Sequence, residues 1–210
     1  MSSVRLIWIT PNAELQLAYI ARVSNPKNQD NPNSASLLRY CIDHKHWSIF
    51  EMANMCMEIH TTRSISPQIL RHRSFTFQEF SQRYADVTSL GSLKVPHLRR
   101  QDQKNRQHSI DDLDASTTAS YYRRIQQHFY EAEDLYREMV SNGVAKECAR
   151  DVLPLASPSK LYMNGTVRSW IHYIDLRSGN GTQAEHKEIA LMCKEVFKEH
   201  LPHVSEALGW

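Results

Sequence analysis

The sequence lacks any long apolar run. No stretch of its 210 residues approaches the roughly 18 consecutive apolar residues that a membrane-spanning helix requires, so we expect no membrane association. The first ten residues carry one arginine and a short Leu-Ile-Trp-Ile run, without the basic start, long apolar stretch and cleavage site of a secretory signal. These absences predict an intracellular, cytoplasmic protein.

Cysteine and net charge are also scarce. The four cysteines, Cys41, Cys56, Cys148 and Cys193, have no tight spacing, unlike a secreted disulfide framework. Because 25 Lys and Arg residues nearly balance 23 Asp and Glu residues, the net charge of +2 does not indicate a nucleic-acid polymer as partner. The apolar fraction of 41% and the charged fraction of 23% are typical of a folded globular protein.

Apolar spacing predicts a helix-rich chain with a few strands. The predicted helices cover residues 12–23, 33–44, 66–71, 118–142, 145–152, 167–176 and 183–200. The predicted strands cover residues 4–9, 52–61 and 160–164, and the second alternates apolar and polar residues, which predicts one buried face. Residues 86–120 have the weakest core pattern and are predicted as a long connection. We therefore predict an α+β (mixed α/β) fold in a single domain, residues 1–210.

The densest polar cluster runs from Arg71 to Tyr84. Arg71, His72 and Arg73 stand in a row at the end of a predicted helix, and if the helix continues they fan around its axis. Ser81 and Arg83 offer a hydroxyl and a guanidinium two positions apart, which suits a phosphate if the chain is extended. From the composition alone, a basic helix end followed by a polar loop is the somewhat better explanation of the cluster.

Four segments of the sequence resemble segments of one protein family, and they occur in the same order as in that family. Arg71-His72-Arg73, seven residues and Ser81 resemble the signature of the flavin-dependent thymidylate synthases, with Glu79 and Arg83 also in the family's places. Upstream, residues 46–51 (His-Trp-Ser-Ile-Phe-Glu) resemble a second family segment. Downstream, residues 149–154 (Ala-Arg-Asp-Val-Leu-Pro), and then residues 167–168 with 175–177, resemble two more. The resemblance covers about residues 17–197 and implies a helix-rich fold with a small, mostly antiparallel sheet.

The resemblance implies an enzyme, an FAD-dependent methyltransferase that converts dUMP to dTMP. Methylenetetrahydrofolate would supply the carbon, and FAD reduced by NADPH would supply the hydride. Carried over by position, the dUMP-binding residues are Gln68, Ile69, Leu70, Arg71, Glu79, Phe80, Ser81, Gln82, Arg83, Arg150 and Arg177. The FAD-binding residues are His46, Ser48, Arg71, His72, Arg73, Glu79, Thr166, Val167, Arg168 and His172. Thr166 and His172 differ from the Asn that many relatives carry.

The resemblance also assigns a catalytic role to Arg177. Its guanidinium would polarise the uracil and favour loss of the N3 proton, which raises the electron density at C5. A cysteine nucleophile is not required, and Cys41, Cys56 and Cys193 lie in patterns typical of buried structural thiols. The family forms homotetramers with active sites shared between subunits, so we expect the same assembly here.

Two other hypotheses come from different classes of protein. Cys41, His44 and His46 have side chains that can bind zinc. No fourth ligand lies at a spacing typical of zinc sites, so we expect no metal. Five arginines with interleaved aromatic residues would suit a nucleic-acid-binding module: Arg71, Arg73, Arg99, Arg100 and Arg106. Four aspartates, between positions 102 and 114, dilute the second half of that basic set.

Overall fold

Helices and short strands alternate along the chain. The computed structural model describes residues 2–210. The α-helices in this range are α1 (Ala13–Ala21), α2 (Ala35–Asp43), α3 (Ser66–Ile69), α4 (Ala115–Ser141), α5 (Lys146–Ala149), α6 (Val167–Arg177), α7 (Ala184–His200) and α8 (Pro202–Ala207). The strands are β1 (Ser3–Ile9), β2 (Asn54–Thr62), β3 (Phe75–Glu79), β4 (Arg100–Gln101), β5 (Ser109–Ile110) and β6 (Pro158–Thr166). Short 3₁₀ turns cover Pro26–Asn28, Trp47–Glu51, Val87–Leu90 and Arg150–Val152.

These elements belong to two compact units. The first unit contains His60–Ile69 and Glu79–Leu161. The second unit contains Ser2–Ile59, Leu70–Gln78 and Tyr162–Trp210. Helices α3, α4 and α5 belong to the first unit, and the remaining α-helices described above belong to the second.

A four-stranded sheet has the strand order β1–β2–β6–β3, and most of its residues belong to the second unit. The Val167 amide donates to the Ala53 carbonyl at one end of the β2–β6 pair, and the Arg63 amide donates to the Ser157 carbonyl at the other, both at 2.9 Å. Because the residue numbers run in opposite directions along the pair, β2 and β6 are antiparallel.

Helix α6 is fixed to this sheet by its first turn. Thr166 is the N-cap, and its hydroxyl oxygen accepts from the Ser169 amide at 3.1 Å. Trp170 is fully buried, and its indole N–H donates to the Met55 carbonyl of β2 at 2.9 Å. A buried anchor one turn into the helix therefore sets the position of the polar residues that follow it on α6.

Strand β2 is buried on both faces, so the prediction of one exposed face is wrong. Cys56 and Glu58 belong to the predicted polar face, yet both are buried, and Glu58 is only 4% exposed. Arg5 of β1 explains the buried carboxylate, since its Nε and Nη2 donate to the two Glu58 oxygens at 2.7 and 3.0 Å. A bidentate ion pair allows Glu58 to be buried at a position that the apolar/polar alternation of the strand predicts to be exposed.

Gly165 of β6 lies against the ring of Phe75. A Cβ at this position would lie 2.4 Å from Phe75 Cδ1 and 2.6 Å from Cε1. The ring cannot easily move aside, because it packs against Trp170 and Tyr173 with centroids 4.9 and 5.9 Å apart.

We therefore expect Gly165→Ala to lower the free energy of unfolding by about 1–3 kcal/mol through overpacking. The urea midpoint measures this change. Gly181→Ala is the matched control, because no atom of the described part of the chain lies within 4 Å of its added Cβ. Equal midpoints for the two variants would contradict the packing argument.

The first unit is organised by the 27-residue helix α4. Asp114 caps it, with its carboxylate accepting from the Thr117 amide at 2.9 Å. Tyr136 of α4, Val87 and Ala149 form a buried cluster, and Met139, Val140, Val152 and Leu153 pack around it. The predicted connection of residues 86–120 contains the antiparallel hairpin β4–β5, and α4 begins before its predicted start.

None of the helices in residues 2–210 combines the length and the apolarity that a bilayer-spanning segment needs.

Candidate active site

The Arg71-His72-Arg73 segment lies in a turn, not in a helix. Helix α3 ends at Ile69, and the chain turns before β3 begins at Phe75. Arg71 and Arg73 are exposed, whereas His72 is half-buried. The alternative in which the three side chains fan around a continuing helix is therefore wrong.

His72 contacts Arg177, the residue predicted as catalytic. Arg177 Nε donates a hydrogen bond to His72 Nε2 across 2.9 Å. Since a guanidinium can only donate, His72 Nε2 accepts, and the imidazole is neutral with its proton on Nδ1. Burial, then the positive charge of Arg177, then His172 lower the pKa of His72 from 6.5 to about 4, which agrees with this protonation state. Among residues 2–210, this is the single hydrogen bond of the Arg177 side chain, so both terminal nitrogens are available to a ligand.

His186 of α7 lies beside the same group of residues. It is fully buried, and its Nε2 is 3.1 Å from the Tyr173 hydroxyl. Burial is the main reason that its pKa falls from 6.5 to about 4, with Arg177 and His72 adding smaller effects. The folded protein therefore keeps two neutral imidazoles close to Arg177.

These lowered pKa values predict a loss of stability in acid. Below pH 6.5 the unfolded chain binds protons that the folded chain excludes, so the free energy of unfolding falls as the pH falls towards 4. For His186 alone, a pKa shift from 6.5 to about 4 corresponds to about 2–3 kcal/mol at pH 4.

Denaturant unfolding at pH 7 and pH 4 tests this expectation. Carboxylates also titrate in this range, so the informative quantity is the difference between wild type and His186→Leu. We expect the acid-induced loss to be smaller in His186→Leu. Identical losses in the two proteins would contradict a neutral, buried His186.

A cavity of about 730 Å³ opens in the second unit. Residues of helix α6 supply half of its lining, including Arg168 and His172, which stand one turn apart on one face. Two indoles, Trp47 and Trp210, supply flat apolar surface. The remaining lining residues are Glu51, Ser74, Ser169, Ile171, Asp175 and Leu208. A cavity of this size, with aromatic walls and a few polar groups, is typical of a cofactor site.

Arg168 and His172 are the two predicted FAD-binding residues that line this cavity. Arg168 forms an ion pair with Glu51 across the lining. The other predicted FAD-binding residues of the second unit lie outside the lining set: His46, Ser48, Arg71, His72, Arg73, Thr166 and Val167. The side chain of Val167 is fully buried, and Thr166 is occupied as the α6 cap.

Glu79, at the end of β3, belongs to the first unit, where three donors hold it. Ser66 Oγ, Arg63 Nη1 and Ser159 Oγ all donate to Glu79 Oε1, at 2.5, 2.8 and 2.8 Å. Within residues 2–210, Oε2 has no hydrogen bond. One carboxylate oxygen thus fixes the side chain and leaves the other for a ligand.

Two predicted phosphate-binding arginines also lie in the first unit. The Arg83 side chain is 67% exposed and pairs with Glu147 at 2.9 Å, and the Arg150 side chain is 36% exposed and lies 3.8 Å from Asp151. Exposed ion pairs of this kind contribute little to stability, so a phosphate can replace them. The other predicted dUMP-binding residues of the first unit are Gln68, Ile69, Phe80, Ser81 and Gln82, whereas Leu70, Arg71 and Arg177 belong to the second.

The Ser81–Arg83 segment is not extended. The prediction that Ser81 and Arg83 bind one phosphate together required an extended chain, and this condition is not met. The Ser81 carbonyl accepts from the amides of Tyr84 and Ala85 at 3.1 and 2.9 Å, which closes a turn. Gln82 is buried in this turn, and within the described part of the chain its side-chain nitrogen has no hydrogen-bond partner. An unpaired buried donor is a candidate ligand contact.

The residues named in the two rival hypotheses also have defined environments. Across residues 2–210 no three His, Cys, Asp or Glu side chains cluster as metal ligands, and Cys41 is buried while His44 is exposed. In the proposed nucleic-acid patch, Arg100 is paired with Asp112 and Arg99 donates to Ser109.

Comparison with known proteins identifies the family. The family model described as thymidylate synthase complementing protein matches residues 5–203. A probable flavin-dependent thymidylate synthase of Paramecium bursaria Chlorella virus 1 is 51% identical over 200 residues, covering 94% of this chain and 91% of the relative. A flavin-dependent thymidylate synthase of Synechocystis sp. PCC 6803 is 53% identical over 195 residues, covering 92% and 88%. The chain belongs to the flavin-dependent thymidylate synthase family.

The fold of this flavin-dependent thymidylate synthase family member also matches solved structures. A UMP/dUMP methylase from Streptomyces cacaoi, bound with 5-Br dUMP, aligns over 100% of this chain and 95% of its own, with a TM-score of 0.85 and 24% identity. The predicted family and the predicted α+β fold with a small antiparallel sheet are confirmed.

Sequence reasoning missed several residues of the cavity. Glu51 and Trp47 lie inside residues 46–51, one of the segments that resemble the family, and this location was a signal that could have identified them. Leu208 and Trp210 lie beyond the last matching segment, in no motif, and only the folded chain brings them to α6.

Proposed function

We propose that the protein methylates dUMP to dTMP, with methylenetetrahydrofolate as carbon donor and with FAD, reduced by NADPH, as hydride source. Identity above 50% with relatives named flavin-dependent thymidylate synthase confirms the overall function and the methyltransferase class. One structural observation supports the detailed proposal. Arg177 Nε donates to the neutral His72, and neither terminal nitrogen of the guanidinium has a hydrogen-bond partner among residues 2–210.

The residues of the cavity fit FAD. Its aromatic rings would pack against Trp47 and Trp210, and its pyrophosphate would be bound by Arg168 and His172. When bound, the flavin supplies the hydride of the reaction. The protein's task is to hold this group beside α6, which also carries Arg177.

Trp210 offers a test of this pocket that does not depend on turnover. Its ring packs edge-on against Phe197 at 5.3 Å, and Lys194 lies 5.0 Å from its centroid. We expect Trp210→Ala to weaken FAD binding roughly ten-fold, since an aromatic contact of about 1 kcal/mol and buried apolar area are lost. Flavin fluorescence titration measures the dissociation constant, and Trp210→Phe is the control that keeps a ring. Unchanged affinity in Trp210→Ala would contradict the assignment of the cavity to FAD.

For dUMP, we propose that Arg83 and Arg150 bind the phosphate through charge-assisted hydrogen bonds. Glu79 Oε2 and the unpaired Gln82 nitrogen would complete the polar contacts, together with residues 68–71 and 80–81. Two observations support the proposal: within residues 2–210 the Gln82 side-chain nitrogen has no hydrogen-bond partner, and the ion pair of Arg83 is exposed enough for a phosphate to replace it.

Arg177 would act on the uracil. A fixed guanidinium beside the base stabilises the charge that develops as the N3 proton leaves, and this raises the electron density at C5. The cysteines support a reaction without sulfur attack, because Cys41, Cys56 and Cys193 are buried and burial raises the pKa of each thiol. Cys148 is the exposed one.

We further propose a cytoplasmic, single-domain subunit that forms a homotetramer with shared active sites. Large apolar side chains stay exposed along α4, at Tyr121, Tyr122, Tyr130 and Leu135, which supports coverage by another subunit. All four cysteines are free thiols in residues 2–210, as in a reducing compartment.

Purified protein tests the proposed function directly. We expect a yellow preparation whose flavin absorbance bleaches with NADPH in the absence of oxygen and which then converts dUMP to dTMP when methylenetetrahydrofolate is added. A colourless protein that binds oligonucleotides tightly, with a steep salt dependence, would overturn the proposal in favour of nucleic-acid binding.

A further inference from the structure

We infer that His186 and Tyr173 are positioning residues for Arg177, acting through His72. The inference rests on the proposed function only for the role of Arg177 in turnover. The set of His72, Tyr173, Arg177 and His186 is called the imidazole cluster.

The cluster joins α6 and α7 through buried side chains. Tyr173 precedes Arg177 by four residues, so both lie on one face of α6. Tyr173 and His186 are fully buried, and the tyrosine hydroxyl lies 3.1 Å from His186 Nε2. This hydrogen bond holds the hydroxyl end of the Tyr173 side chain against α7.

The Tyr173 ring in turn fixes His72. The two rings meet edge to face, with centroids 4.9 Å apart and an interplanar angle of 85°. The His186 ring is also edge to face with His72, at 6.4 Å and 82°. Held on these sides, His72 presents Nε2 to Arg177 Nε at 2.9 Å. The orientation of the Arg177 guanidinium thus depends on a series of contacts that runs from His186 of α7 through Tyr173 and His72.

Packing alone does not explain a histidine at position 186. Within residues 2–210 its Nδ1 is buried without a hydrogen-bond partner, which is destabilising. An aliphatic side chain would fill the space without that cost. The contact of the imidazole with Tyr173, and through it the orientation of His72, accounts for a histidine at this position.

The experiment compares His186→Leu and Tyr173→Phe, which break the hydrogen bond, with His186→Gln, which can restore it. Ile189→Val, a fully buried change on the same helix, controls for general loosening of α7. We expect the first two variants to lower kcat at least five-fold with KM for dUMP and FAD affinity unchanged. His186→Gln should recover most of kcat, and Ile189→Val should match wild type.

A double-mutant cycle separates positioning from general damage. If His186 acts through Arg177, His186→Leu should have no further effect on kcat in the Arg177→Ala background. The inference would be overturned if the effects of His186→Leu and Arg177→Ala on kcat multiplied in the double variant. An unchanged kcat in both His186→Leu and Tyr173→Phe would also overturn it.

A second readout holds even if the proposed function fails. In the full protein labelled with ¹⁵N-arginine, the Arg177 Nε–H signal, assigned by its absence in Arg177→Lys, should exchange slowly with solvent. Exchange should be at least ten-fold faster in His186→Leu and normal in His186→Gln. Absence of dTMP formation by wild type would refute the function, whereas equal exchange in all variants would refute the positioning role.

Discussion

Arg177→Ala should retain bound flavin and lose about 10²–10³-fold in kcat, which is the usual effect of removing one fixed donor from a developing anion. The expected loss falls on turnover because, within the described residues 2–210, the side chain hydrogen-bonds to protein only through Nε, and its terminal nitrogens remain for the base. The measurement is dTMP formation at saturating dUMP, alongside the flavin content of the purified variant.

Two variants sharpen the test of Arg177. Arg177→Lys keeps the positive charge but lacks the planar fork, and therefore should recover only a small part of the lost rate. Arg39→Ala removes an arginine from an exposed ion pair with Glu206 and should be indistinguishable from wild type. Full activity in Arg177→Ala would show that this guanidinium does not activate the uracil.

Glu79→Gln should separate the binding role of Glu79 from its structural role. The amide oxygen can still accept from Arg63, Ser66 and Ser159, while the second position becomes an NH₂ group that cannot accept. We expect nearly unchanged stability but roughly 10- to 100-fold weaker ligand binding, as for the loss of a hydrogen bond to a charged group. Isothermal titration with dUMP and flavin titration measure the effect.

Glu79→Ala provides the contrast. It removes both oxygens and leaves three donors without their acceptor, so the free energy of unfolding should fall by about 1–3 kcal/mol. Ser159→Ala removes one donor and should have a smaller effect on stability with normal binding. If Glu79→Gln bound its ligands as wild type does, Glu79 would serve only to hold the first unit together.

Much of the fold was predictable because local patterns and tertiary contacts agree. Strand β1 and helices α6 and α7 begin and end within two residues of their predicted limits, where apolar spacing matches the buried face. Strand β2 shows the limit of the pattern. Glu58 is buried because Arg5, 53 residues away in sequence, neutralises it, and alternation within one strand carries no information about that partner.

The candidate site was predictable only where a contiguous motif existed. The resemblance pointed to Arg177 and His72, but it did not reveal that they contact each other at 105 residues of separation. Nor did it indicate His186, Tyr173 or Trp210, whose contacts arise from packing between α6, α7 and the C-terminal residues. Ser81 and Arg83 fit an extended grip in sequence, yet the amides of Tyr84 and Ala85 close a turn instead.

Tritium release from dUMP labelled at C5 tests the central claim, methylation of the base without a sulfur nucleophile. Wild type and Cys148→Ser, which removes the exposed thiol, should release tritium and form dTMP in equal amounts, and only when NADPH and methylenetetrahydrofolate are both present. Loss of both products in a Cys148→Ser protein that still carries its flavin would contradict the account.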